Sequence, residues 1–338
     1  MFSMFALMQP PEVVAQSDAI VELEVHTINS GLGDSQKWGE MLAQVGADRF
    51  SITSNRKRAR PDVEESTFGN KKHYLVVGVL AGNRLMLPGG KTFTSRDKAK
   101  IAAFIKTIRD DGPKVALSVK MAFGLTAEQL VSLQRDLAQP HKTSTKGQPV
   151  FDIVEAIADA TKTPIGIDPS ARNALAGKET IAEELKALSS GTTLAAILRP
   201  LGLVAMPRRQ QGKSVQLVII DSRKAKEYWP IGWPNEKGNA LVAPQMFKTQ
   251  DYEIRNFPLQ GILDAVEKKV EIPFLYDHNS LARHGADTKK LTATFVKTRQ
   301  TYFAVVRQCL SQVRPQMKLE IRNDDAGTPF VWITTFKK

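Results

Sequence analysis

The feature that most constrains this chain is an internal match. Ile153 to Asp168 reads IVEAIADATKTPIGID, and Ile262 to Asp277 reads ILDAVEKKVEIPFLYD, aligned without a gap. Each stretch holds an amphipathic helix, a proline that ends it, a short apolar strand and an aspartate suited to cap whatever follows. Further on, Thr193 to Arg199 (TLAAILR) lies opposite Thr301 to Arg307 (TYFAVVR). The alternating segments Ile181 to Leu188 and Leu291 to Val296 come just before these helices. Two strand-like stretches come after each, Leu203 to Met206 with Val215 to Ile220, and Met317 to Arg322 with Phe330 to Ile333. A period near 110 residues is too long for a stacked solenoid, so two copies of one small α/β unit are expected, with Ile157 and Val266 on equivalent helices.

The chain ahead of the copies has a different pattern. Val21, Leu23 and Val25 alternate with Glu22, Glu24 and His26, the period of a half-buried strand. A helix follows, with Ser35 as its expected cap, Trp38, Met41, Leu42 and Val45 on one face, and Gly46 as its stop. Phe50 to Ile52 and Tyr74 to Leu80 read as strands, and the charged stretch Asn55 to Lys72 as a loop. Asn83 to Leu87 reads as a hairpin partner. Ser95 is the expected cap of a second helix carrying Ile101, Phe104, Ile105 and Ile108, which ends at Gly112-Pro113. This order indicates an α+β sandwich. Thr126 to Gln129 is a capping-box sequence opening a helix to Leu137, and the polar run Gln139 to Gln148 reads as a linker.

The expected organisation is therefore α+β throughout. Residues 1–19 form a leader or truncated signal peptide, 20–113 an N-terminal α+β domain, and 114–147 a helix and linker. Residues 148–222 form the first repeat, 223–257 a Trp/Pro-rich connector, and 258–338 the second repeat. The leader has an apolar stretch and small residues at Val13 and Ala15 but lacks a basic front half, which leaves export and a frayed apolar end both open.

Residues 150 to 221, with Thr193-Leu194 opening the second helix, Gly202-Leu203 at its exit and the final hairpin Val215 to Ile220, resemble the short N-terminal (STN-like) domain of secretins and TonB-dependent receptors. The second copy, 258 to 335, resembles it less closely: Tyr302 replaces the leucine, and Gln312-Val313-Arg314 replaces the Gly-Leu exit. The resemblance implies a protein-contact module of the bacterial envelope without catalytic residues, in a periplasmic or envelope location. A cytoplasmic location is the alternative.

Composition narrows the chemistry. One cysteine, Cys309, excludes an internal disulfide framework and a cysteine-rich zinc site. A net charge of +12 admits a protein partner, an anionic envelope polymer or nucleic acid. No apolar run approaches the roughly 20 residues of a bilayer span.

The motifs that suggest catalysis have plainer readings. Gly89-Gly90-Lys91-Thr92 is a turn after a strand, because Leu85 stands where a P-loop needs its first glycine. Asp277, His278 and His284 do not have metal-ligand spacing, since the two histidines do not share a helix face, and Asp277 aligns with Asp168 as a cap. His26, His73 and His141 fall on a strand face, beside a strand and in the linker. Cys309 sits in an apolar helix. The basic run Arg56 to Arg60 is followed by Asp62, Glu64 and Glu65 and reads as a solvated loop; Arg208 and Arg209 lie at a hairpin turn. No cofactor, metal or catalytic residue is assigned.

Tyr228 to Pro234 (YWPIGWP) differs in kind, with Trp229 and Trp233 held between prolines. The pair either staples the connector onto a repeat or forms a partner-binding site, and the staple is preferred for Trp229. The expected function is non-catalytic binding or scaffolding; the alternatives are a nucleic-acid-binding protein and a hydrolase with an unrecognised site.

Overall fold

The computed structural model describes residues 19–28, 32–54, 60–210 and 212–336. Most of the leader, and the basic run up to residue 59, lie outside the described residues. Contacts divide the chain into two compact bodies, the described residues of Met1–Ala127 with Arg209–Ser214, and those of Glu128–Arg208 with Val215–Lys338. Apart from residues 209–214, both segments read as repeats belong to the second body. Both bodies mix helices with small sheets, consistent with an α+β class.

In the first body, β1 (Ile20–Ile28) runs parallel to β2 (Arg49–Thr53) on one side and β4 (Lys71–Ala81) on the other. α1 (Leu32–Leu42) connects β1 to β2. β3 (Asp62–Phe68) and β5 (Arg84–Leu87) both pair antiparallel with β4, and β6 (Lys91–Phe93) pairs with β5. α2 (Lys98–Asp111) and α3 (Pro113–Leu117) follow. The alternating Val21, Leu23 and Val25 are fully buried in one core with Trp38 and Leu42 of α1 and with Ile101, Ile105 and Ile108 of α2. Burying these large apolar side chains, at about 1.5–3 kcal/mol each, is what holds the helices on the sheet.

Three local expectations need correction. The stretch read as a loop contains β3, an exposed charged strand whose register with β4 (Asp62↔Val77 to Phe68↔Lys71) supplies the backbone bonds its composition does not advertise. α1 begins at Leu32, so Ser35 lies inside the helix and does not cap it. α2 begins after Asp97, not at Ser95; the Asp97 carboxylate accepts from Thr94 N at 2.9 Å and Thr94 Oγ1 at 2.7 Å, bracing the turn before the helix.

The second body opens with α4 (Ala127–Leu137). Then come residues 139–149, α5 (Val150–Ala160), β7 (Ile165–Ile167), α6 (Pro169–Leu175), residues 180–189, α7 (Ser190–Leu198), β8 (Leu203–Arg209) and β9 (Val215–Asp221). The expected linker is ordered. It pairs with 180–189 through His141 N to Leu188 O (2.8 Å), Ala187 N to His141 O (3.0 Å) and Gly147 N to Ile181 O (2.8 Å). Its polar side chains are used internally: Thr145 is fully buried, its hydroxyl donating to Glu183 O at 2.8 Å and accepting from Leu185 N at 2.7 Å. β9 lies centrally in a three-stranded sheet ordered β7-β9-β8, with β7 parallel to it.

β10 (Trp233–Pro234) and α8 (Asn239–Val242) lie in the connector. After them the chain forms β11 (Thr249–Pro258), α9 (Leu259–Val270), β12 (Phe274–Tyr276), α10 (His278–Arg283), β13 (Thr292–Thr301), α11 (Tyr302–Gln312), β14 (Met317–Asn323) and β15 (Pro329–Thr335). β11 and β13 pair antiparallel. β15 lies between β14, antiparallel, and β12, parallel. Element order and strand pairing thus follow those of 139–221.

The correspondence extends to single bonds. Asp168 N donates to Ile219 O and Asp277 N to Ile333 O, each at 2.9 Å. Ile157 on α5 is fully buried, and Val266 on α9 is buried beside Leu263 and Val306. The expected alignment of the later helices changes by one turn. Ser189 caps α7 by accepting from Thr192 N, and Thr301 caps α11 by accepting from Ala304 N. Thr193 therefore sits one turn inside α7, since a slip of four residues keeps the same helix face and preserves the apolar pattern.

Candidate functional site

Within the second body the two segments read as repeats meet around Asp325, in the turn between β14 and β15. Trp229 N donates to Ala205 O at 2.8 Å, so the connector runs beside β8 and carries the indole into the interior, where Trp229 is 2% exposed. Trp233 sits in β10, which pairs with β14, and its ring meets that of Trp229 edge-on, 5.4 Å between centroids at 89°. This is the favoured edge-to-face geometry. Trp233 stays partly exposed.

Asp325 gathers donors from two parts of the chain, the connector and the start of α7. Oδ1 accepts the indole N–H of Trp229 (3.0 Å) and of Trp233 (2.8 Å). Oδ2 accepts Ser189 Oγ (2.7 Å) and Thr192 Oγ1 (3.1 Å). In return Asp325 N donates to Ser189 Oγ at 3.1 Å, and Asp324 Oδ2 takes Ser189 N at 2.8 Å. Asp324 is positioned by its own turn, its Oδ1 accepting from Ala326 N (2.9 Å) and Thr328 N (2.7 Å). Burial pushes the Asp325 carboxyl above its usual range, against the four side-chain hydrogen bonds that pull it down. Every acceptor direction is used, and the carboxylate faces the N-terminus of α7, where negative charge is favoured.

A cleft of about 280 Å³ lies nearby, between residues 179–185 and α7 on one side and β12, α10 and β15 on the other. Ile197, Leu275 and Trp332 are among its apolar walls, and Glu179, Glu183 and His278 are its charged groups. His278 Nε2 is bonded to the Glu183 carboxylate, which raises the imidazole pKa against the effect of burial. Asn279, the next residue, donates from Nδ2 to Arg199 O at 2.6 Å. The Tyr276 hydroxyl accepts from Gln260 Nε2 at 3.0 Å, and burial pushes its pKa up.

The other residues weighed from sequence do not converge. Asp168 and Asp277 cap α6 and α10, accepting from Ser170 N (2.9 Å) and Ser280 N (3.2 Å). His278 and His284 are separated, since His284 Nδ1 bonds Thr335 Oγ1 at 2.6 Å. His26 is fully buried in β1 with Nδ1 at 3.0 Å from Thr53 Oγ1, and His73 Nε2 is 3.2 Å from Glu22. His141 is buried in the paired segment 139–149, where burial lowers its pKa. Gly89 and Gly90 form the turn between β5 and β6. Cys309 is buried in α11, its thiol pKa pushed up to about 11 by burial. Among the described residues no group of three or more His, Cys, Asp or Glu is placed to hold a metal ion.

Sequence reasoning missed Ser189, Asp325 and Glu183. Ser189 had one available signal, a serine preceding an apolar helix. No family model matches the chain, and no curated protein or solved structure matches it significantly.

Proposed function

We propose that the chain is a non-catalytic protein-interaction or scaffolding protein of the bacterial cell envelope, in which two duplicated STN-like units act as one contact body. What supports this reading above all is the network at Asp325, because it spends buried polar groups on fixing one unit against the other. A pair of units held this way presents an extended surface without paying an ordering cost on binding. The resemblance of 150–221 to short envelope contact domains is what favours an envelope location. Among the described residues no helix is long and apolar enough to cross a membrane.

A net charge of +12 favours one competing reading, a nucleic-acid-binding protein. Fractionation and cross-linking of the tagged full chain in the bacterium that encodes it separates the two. The expected result is recovery with the envelope, cross-linked to protein. Recovery with the nucleoid, together with tight binding of one DNA sequence at physiological salt, contradicts the proposal.

A further inference from the structure

The cleft beside Glu183 is electronegative although the chain as a whole carries +12. Glu179 and Glu183 stand at it with His278. The groups around them are also mostly acidic. Glu267 takes Phe274 N at 2.8 Å, and its field and that of Asp264 reach Tyr276. Lys146 opposes them from the first segment. Asp277 faces His278, with its oxygens occupied by Ser280 N (3.2 Å) and Thr334 Oγ1 (3.1 Å). Arg322 stacks on the Trp332 ring, 5.2 Å to its centroid, and is paired with Glu320. Carboxylates still outnumber cations, and the walls behind them are apolar. A volume of about 280 Å³ lies at the small end of ligand pockets, which run to roughly 300–1,000 Å³, and suits a single side chain.

We propose that this cleft binds an aliphatic chain ending in a primary ammonium, as on a lysine of a partner protein, with the stem along Ile197, Leu275 and Trp332 and the ammonium on Glu183 in place of the His278 imidazolium. Long cationic side chains bind apolar surface and a charged rim in this way. The exchange has a proton balance. Glu183 is what raises the His278 pKa; once the ammonium takes that carboxylate, the imidazolium gives its proton to solvent. Binding therefore releases a proton and tightens as pH rises through the His278 pKa, by at most about tenfold per unit. That the ammonium belongs to a protein rests on the proposed contact role; the preference of the cleft for the ammonium does not.

The test is titration of the full chain with n-hexylamine, followed by NMR at the Trp332 indole and the His278 ring, with 1-hexanol and hexanoate as controls. The expected result is a saturable shift with the amine alone, affinity rising with pH above the ordinary imidazole value, a pH-independent affinity in His278→Gln, and at least tenfold weaker binding in Glu183→Gln. Equal binding of hexanol or hexanoate, no saturable shift, or pH-independent binding to the unmodified chain would overturn it. The ligand comparison needs no variant, so misfolding of Glu183→Gln leaves the test intact. Amine binding without protein cross-links in cells would instead count against the contact role alone.

Discussion

Trp229 and Trp233 donate their indole N–H groups to the same oxygen, Asp325 Oδ1, at 3.0 and 2.8 Å. One residue is buried in the interior and the other sits on a strand of the neighbouring sheet, so this oxygen ties the connector to the second segment at two points. Its sister oxygen binds Ser189 and Thr192 of the first segment.

Gly191, in the first turn of α7, tests how closely that junction is packed. An alanine in a helix is ordinarily better than glycine by about 1 kcal/mol. Here a Cβ would lie 2.5 Å from Asp325 Oδ2 and 2.7 Å from Trp229 Nε1. Gly191→Ala is expected to destabilise by about 1–3 kcal/mol, as overpacking does. Urea denaturation checks it, and a stabilised variant would show that the junction is loose.

The Asp325 carboxyl gives the junction a pH dependence. Its pKa is raised in the folded chain, so the native state binds more protons than the unfolded state above the ordinary aspartate pKa. Its contribution is complete below the unfolded pKa and is lost as pH rises through the folded one. Asp325→Asn keeps an acceptor for the indoles and cannot ionise. Denaturation midpoints measured from about pH 4 to 6, around the carboxylate range, are expected to fall less with pH, relative to their value at pH 4, in the variant than in the unmodified chain. Parallel curves would contradict this.

The positive charge predicts non-specific DNA binding that is weak at physiological salt and falls steeply as salt rises, since each phosphate contact releases a counterion. Fluorescence anisotropy with random duplexes over a salt series measures it. Salt-insensitive, sequence-selective binding would support the nucleic-acid reading.

Much of the fold was legible in the sequence because its signals are local. The period of two at Val21, Leu23 and Val25 and the buried face of Ile101, Ile105 and Ile108 follow from side-chain geometry alone. β3 was hidden because an exposed edge strand carries charge instead of alternation, and β4 decides its pairing. Residues 139–149 were hidden because their partners lie about forty positions away, as in Thr145 Oγ1 to Leu185 N, a separation of 40. Helix starts were ambiguous by one turn, which moved Thr193 away from its structural place. Ser189 and Asp325 are 136 residues apart, and no local pattern joins them. YWPIGWP did show that Trp229 and Trp233 needed cover, but not what would cover them.

The central claim is that the connector tryptophans hold the repeat segments as one body, and thermal unfolding of Trp229→Ala in the full chain tests it most directly. Truncating a buried aromatic costs about 3–5 kcal/mol, so a clear fall in melting temperature is predicted, with Trp229 shielded from a soluble quencher in the unmodified chain. An unchanged melting temperature with Trp229 open to quencher would contradict the account and make this segment a surface for partners.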